Sequence, residues 1–123
     1  MSTILLNESK LQNSSKYKTT DIDPTNEYYL FDIHLESNKR SKKIKKISTD
    51  ISKLLLTNED NIYFNKYTKI NFKIYNLKKQ ILSHNLSINL LNDNIIHKDK
   101  KIYLEINNQN GYLTLFYNLE RYN

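Results

Sequence analysis

Apolar and polar residues alternate along several stretches of the chain, and this alternation carries most of the structural signal. From Glu27 to Glu36, Tyr29, Phe31, Ile33 and Leu35 alternate with Tyr28, Leu30, Asp32, His34 and Glu36, which predicts a strand with the first set facing a core. Ile70, Phe72 and Ile74 alternate with Lys69, Asn71, Lys73 and Tyr75, which predicts half-buried antiparallel sheet over Lys69–Tyr75. Asn61–Phe64 is read as a further short strand, with Asn65–Thr68 as the turn between the two. At the C-terminal end, Lys101–Asn108 and Tyr112–Leu119 flank Asn110-Gly111, a strong two-residue hairpin signal. Pairing Gln109 with Tyr112 sets Ile106 opposite Leu115, Leu104 opposite Tyr117 and Ile102 opposite Leu119, all on one apolar face. The lone glycine of the chain, Gly111, falls where such a turn needs positive φ.

Two segments carry a helical spacing. Ile44, Ile47, Ile51, Leu54 and Leu55 recur at intervals of three and four, which predicts an amphipathic helix over about 40–57, capped by Ser37-Asn38 and stopped by Asn58. One feature opposes it: Lys42, Lys43, Lys45 and Lys46 would crowd the positive end of the helix dipole. Leu77, Ile81 and Leu82 suit a second, short helix over about 77–85, whereas Leu86, Ile88 and Leu90 alternate like a strand. The order strand, helix, two strands, helix, two strands predicts an α+β fold with a mostly antiparallel sheet. Residues 1–26 are sparse in apolar positions after Leu11 and end in the turn signal Asp23-Pro24-Thr25-Asn26, so they are read as a flexible or docking arm, with Ile4-Leu5-Leu6 as its docking residues. Residues 27–123 are read as one compact domain, in keeping with the length of 123.

Composition changes this picture less than it first suggests. The chain has no Val, Ala, Cys or Trp, one Gly and one Pro, and is rich in Lys, Asn, Ile and Tyr. These preferences follow AT-rich codons, which points to an AT-biased genome such as that of a virus, phage, plasmid, organelle, parasite or low-GC bacterium. Without Cys there is no disulfide framework, thiol nucleophile or Cys-based zinc site. No apolar run approaches the roughly 20 residues of a membrane-spanning helix. Met1–Lys10 lacks a basic segment followed by an apolar stretch, so a cytoplasmic or nuclear protein is expected, not a secreted one.

Charge is the better lead. The net charge is +6, and residues 37–56 alone carry seven cations against Asp50. Lys39, Arg40, Lys42, Lys43, Lys45 and Lys46 form a cluster suited to phosphate groups, and the run also has the look of a nuclear-import peptide. With Arg40 and Arg121 as the only arginines, bidentate readout of bases is not expected. Tyr63, Phe64, Tyr67, Phe72 and Tyr75 interleave with Lys66, Lys69 and Lys73, an arrangement that can either stack single-stranded bases or supply core and solvated faces. Asp32, His34 and Glu36 share one strand face, yet neighbours about 6.6–6.8 Å apart cannot by themselves hold one metal ion. Ser83-His84 and His97-Lys98-Asp99 read as loop or helix-surface residues.

No glycine-rich phosphate loop or nucleophile elbow is present, so no catalytic residue, metal site or cofactor is expected. The resulting expectation is a small, non-enzymatic, basic accessory protein for nucleic acid or for a ribonucleoprotein or polymerase assembly. The alternative is a protein-binding inhibitor or adaptor, with Tyr28, Tyr103 and Phe116 as contacts.

Overall fold

The computed structural model describes residues 27–99 and 101–120. The arm read over residues 1–26 lies outside the described residues. Eight strands follow one another: β1 (Tyr29–Glu36), β2 (Ser41–Ser48), β3 (Ser52–Leu56), β4 (Lys69–Asn76), β5 (Ile81–Asn89), β6 (Asn94–Asp99), β7 (Ile102–Gln109) and β8 (Tyr112–Leu119). They form two four-stranded sheets, ordered β2-β1-β4-β5 and β3-β8-β7-β6. Every pairing between these strands is antiparallel.

The alternation along the central strands explains how the sheets pack. Phe31, Ile33 and Leu35 of β1 and Ile70, Phe72 and Ile74 of β4 are fully enclosed, as are Leu104, Ile106, Leu113, Leu115 and Tyr117 of the other sheet. All belong to one core cluster, so the two inner faces close on each other as a β-sandwich. Phe31 sits at the contact, its ring centroid 4.5 Å from that of Tyr117 and 5.9 Å from that of Phe72. Each such side chain contributes roughly 1.5–3 kcal/mol by leaving water.

The strand at Tyr29–Leu35, the strand at Lys69–Tyr75 and the C-terminal hairpin form as the alternation predicts. The hairpin register is the expected one, with Gln109 opposite Tyr112 and Ile106 opposite Leu115. Asn110 and Gly111 both take positive φ, 54° and 89°, and the Gly111 N–H donates to the Asn108 side-chain carbonyl at 2.9 Å.

The α+β reading is overturned: the described residues contain no α-helix. Residues 40–57 form β2, a corner, and β3 instead of a helix. Three of the five apolar positions in that stripe are β-branched isoleucines, which favour extended backbone. Ser48 breaks the segment, because its hydroxyl accepts the Asp50 N–H at 3.0 Å and turns the chain from one sheet to the other. The lysines that would oppose a helix dipole alternate harmlessly between the two sides of an edge strand. Residues 77–85 are also extended. Leu77–Gln80 make the β4–β5 turn, where Asn76 Oδ1 accepts the Lys79 N–H at 3.3 Å and Gln80 takes φ 53°. Ser83-His84 and His97-Lys98-Asp99 accordingly lie on strands β5 and β6, not on loops or a helix surface. Residues 61–64 form no strand; two single 3-10 turns bracket Tyr63, which makes one isolated bridge to Tyr112.

Candidate nucleic-acid interface

The two outer faces of the sandwich differ in chemistry. On the first sheet, the strand registers set out four rows running β2, β1, β4, β5. They read Ser41–Glu36–Lys69–Asn89, Lys43–His34–Asn71–Ser87, Lys45–Asp32–Lys73–Asn85 and Ile47–Leu30–Tyr75–Leu82. Lys43, Lys45, Lys69 and Lys73 thus share one surface with Asp32, His34 and Glu36. Neighbouring strands lie about 4.8 Å apart, so the four ammonium groups flank the central acidic column at close range. Four cations face two carboxylates, leaving the surface positive. The Glu36 carboxylate accepts the Asn71 amide at 2.9 Å and stands 4.0 Å from Lys69 Nζ. The last row is apolar and sets the Tyr75 ring beside the row that holds Lys45 and Lys73.

The six cations of the basic run do not gather on one face. Lys43 and Lys45 point outward from the first sheet, whereas Lys42 and Lys46 lie on the opposite side of β2. Lys39 and Arg40 lie in the exposed β1–β2 turn, closed by the Ser37 N–H donating to the Arg40 carbonyl at 2.9 Å. Lys46 is engaged within the protein: its ammonium donates to Asp60 Oδ1 at 2.8 Å and to the Leu55 carbonyl at 2.9 Å. Asp60 in turn accepts the Thr57 N–H at 2.8 Å, so the pair ties the edge of one sheet to the segment leaving the other. Lys69 and Lys73 complete the outward surface. Their interleaving with aromatics signals them in the sequence, but only register shows that they meet Lys43 and Lys45.

Of the interleaved aromatics, Phe64 and Phe72 are core residues and cannot reach a ligand. Tyr63 is 49% exposed and stacks on Tyr112 with ring centroids 5.1 Å apart. The hydrogen bond between these two phenols holds the Tyr112 hydroxyl above its ordinary pKa.

The outer face of the second sheet sets one largely apolar row among polar ones. Leu54, Phe116, Glu105 and Ile96 form a row across its four strands, and the Tyr103 ring meets Phe116 edge-on at 6.3 Å. The Tyr103 hydroxyl donates to Glu105 at 3.1 Å, and this bond to a carboxylate raises its pKa. Tyr28, the third expected contact and read as outward-facing in the strand alternation, is buried instead, immediately before β1.

Among the described residues, no group of three or more His, Asp or Glu side chains is placed to hold a metal ion. No helix among them is long and apolar enough to cross a membrane. One surface concavity of about 260 Å³ lies between β2 and β3, lined in part by Lys46, Leu55 and Asp60, and another of about 230 Å³ lies beside Tyr103 and Phe116. Both fall below the roughly 300–1,000 Å³ usual for small-molecule pockets. Compared with protein-family models, with curated proteins and with solved structures, the chain matches none.

Proposed function

We propose that this protein is a non-enzymatic binding module for single-stranded nucleic acid, which it takes on the outer face of the first sheet. The observation that carries this reading is the alignment of Lys43, Lys45, Lys69 and Lys73 on one surface, with the Tyr75 row beside them. Phosphates would lie along the lysines and release counterions, and a base would stack on Tyr75 or pack on Leu30. The exposed turn with Lys39 and Arg40 extends the positive surface at one end. Lysines act as point charges, so binding of this kind is tolerant of sequence. Asp32 and Glu36 limit the affinity and favour a flexible strand that can follow the cationic margins over a rigid duplex.

The test is binding of a labelled oligonucleotide to two charge-matched variants. Replacing Lys43, Lys45, Lys69 and Lys73 by Gln is expected to weaken binding roughly tenfold or more. Replacing Lys53, Lys78, Lys79 and Lys98 by Gln is expected to leave most of it. Equal losses in both would reduce the reading to non-specific charge.

A second reading, a protein-binding inhibitor or adaptor, is favoured by the row Leu54–Phe116–Glu105–Ile96, where Leu54 is 49% and Ile96 60% exposed. Apolar and aromatic side chains grouped outside a core are common at protein interfaces. Substituting Leu54→Glu with Ile96→Glu would abolish capture of a protein partner under this reading and leave oligonucleotide binding in place.

A further inference from the structure

The segment between β3 and β4 rejoins the second sheet at Tyr63. The Phe64 N–H donates to the Gly111 carbonyl at 2.9 Å, and the Leu113 N–H donates to the Ile62 carbonyl at 2.7 Å. These two bonds flank Tyr63 and Tyr112 without joining them, which makes the two residues the non-hydrogen-bonded pair of an antiparallel bridge. In such a pair the backbones approach to about 4.5 Å between Cα atoms and the side chains lie against each other. The rings are stacked accordingly, with centroids 5.1 Å apart and planes 27° from parallel. Their hydroxyls share a hydrogen bond, so the oxygen-bearing ends of the rings meet and the ortho carbons flank that contact. Tyr63 is 49% exposed and Tyr112 is half-buried, which leaves the pair at the surface. Other tyrosines are placed differently: Tyr103 meets Phe116, Tyr117 meets Phe31, and Tyr28 and Tyr29 are buried.

We infer that Tyr63 and Tyr112 form an oxidative modification site, at which a one-electron oxidant joins the two rings as an intramolecular dityrosine. Each phenol gives up one electron and its O–H proton and becomes a phenoxyl radical, whose unpaired spin is shared with the ortho carbons. A carbon–carbon bond forms between one ortho carbon of each ring. Each of these carbons then loses its hydrogen as a proton while the oxygen of the same ring takes one up, which restores both aromatic rings and both hydroxyls. The pair has lost two electrons and two protons in all. A peroxidase-type haem oxidant closes the balance: the two electrons pass to one hydrogen peroxide, which takes up the two protons and leaves as two waters.

Contact between the rings is what selects this pair. Radical coupling is ordinarily a bimolecular encounter, and two phenols already held side by side react without waiting for one. The new bond ties the segment that follows β3 to the β7–β8 turn. It closes the chain between Tyr63 and Tyr112 into a loop, which lowers the entropy of the unfolded state. The inference stands apart from the nucleic-acid reading and is tested without nucleic acid.

The measurement treats the full chain with a peroxidase and hydrogen peroxide over a dilution series. Dityrosine fluorescence is read in the monomer band of a denaturing gel, and the joined peptides are mapped by mass spectrometry. The native chain is expected to give peptides joined at Tyr63 and Tyr112, lighter by two hydrogens than the sum of their parts, in a yield per chain that dilution does not change. Tyr63→Phe and Tyr112→Phe keep the stacked ring and remove the oxidisable hydroxyl. Each is expected to lose most of the monomer-band fluorescence with an unchanged circular dichroism spectrum. Tyr75→Phe, which alters a half-buried tyrosine of the first sheet, is expected to keep it. The inference is overturned if no dityrosine forms, if it forms only between chains, or if the joined peptides carry other tyrosines instead. A monomer signal that survives Tyr63→Phe and Tyr112→Phe, or that Tyr75→Phe removes as fully, overturns it as well.

Discussion

Tyr117 holds the corner at which the chain passes from one sheet to the other. Its ring is fully buried against Phe31, and its hydroxyl donates to the Asp50 carbonyl at 2.8 Å and lies 3.0 Å from Ser48 Oγ. Burial, partly offset by the Ser48 hydrogen bond, raises the phenol above its ordinary pKa. A folded-state pKa raised above the unfolded one favours the folded state below the unfolded pKa, and that contribution is lost as pH rises through the folded pKa. Denaturant titrations of the native chain should therefore show stability falling above about pH 10. Tyr117→Phe should cost about 1–2 kcal/mol at neutral pH by orphaning its partners, and should make the alkaline fall shallower. His97 presents the opposite case. Its Nε2 is buried without a hydrogen-bond partner on the core side of β6, opposite Leu104. An orphaned polar atom costs more than an apolar group of similar shape, so His97→Leu is expected to raise the thermal midpoint, corresponding to about 1 kcal/mol. At Gly111 an added Cβ would meet nothing within 4 Å, yet φ is +89°. Gly111→Ala should accordingly lose about 1 kcal/mol through backbone strain alone, read as a shift in the denaturation midpoint at unchanged slope.

At the scale of elements, legibility in the sequence followed burial. β1, β4, β7 and β8 are central strands whose inner residues are enclosed, so their alternation is clean and each was readable. The β7–β8 register was readable as well, since one pairing satisfied both the Asn110-Gly111 turn and the apolar face. β2 and β3 were not, because an edge strand buries little and need not alternate. In β2 only Ser48 is buried, and in β3 only Leu55 and Leu56. Leu54, counted in the helical stripe, faces outward. The clue that the helix was wrong lay in the lysines at its start, where a helix prefers acids. β5 was divided for a related reason: the strand alternation from Leu86 onward was visible, whereas the bulge at Ser83 blurred the part before it. For the surface, the run from Lys39 to Lys46 was visible as charge. Its division between two faces, the loss of Lys46 to Asp60 and the arrival of Lys69 and Lys73 all depend on pairings that spacing along the chain does not contain. Lys46→Met is expected to test that division: it should alter stability, measured by thermal denaturation, and leave oligonucleotide affinity nearly unchanged.

For the whole molecule, the sandwich separates two chemistries. One outer face is positively charged around a central acidic column, and the other sets one largely apolar row among polar ones. The single core between them fixes their distance and orientation, so a ligand on each side would be held in a set relation. Under the proposed function, the net charge of +6 would draw polyanions from a distance, and the rows on the first sheet would decide where they rest. That claim is most directly tested by the salt dependence of binding to a labelled single strand. If Lys43, Lys45, Lys69 and Lys73 each contact a phosphate, they should contribute about −3 to the slope of log K against log salt, and replacing the four by Gln should remove that share. Binding that ignores salt, or a slope unchanged by the loss of these four lysines, would contradict it.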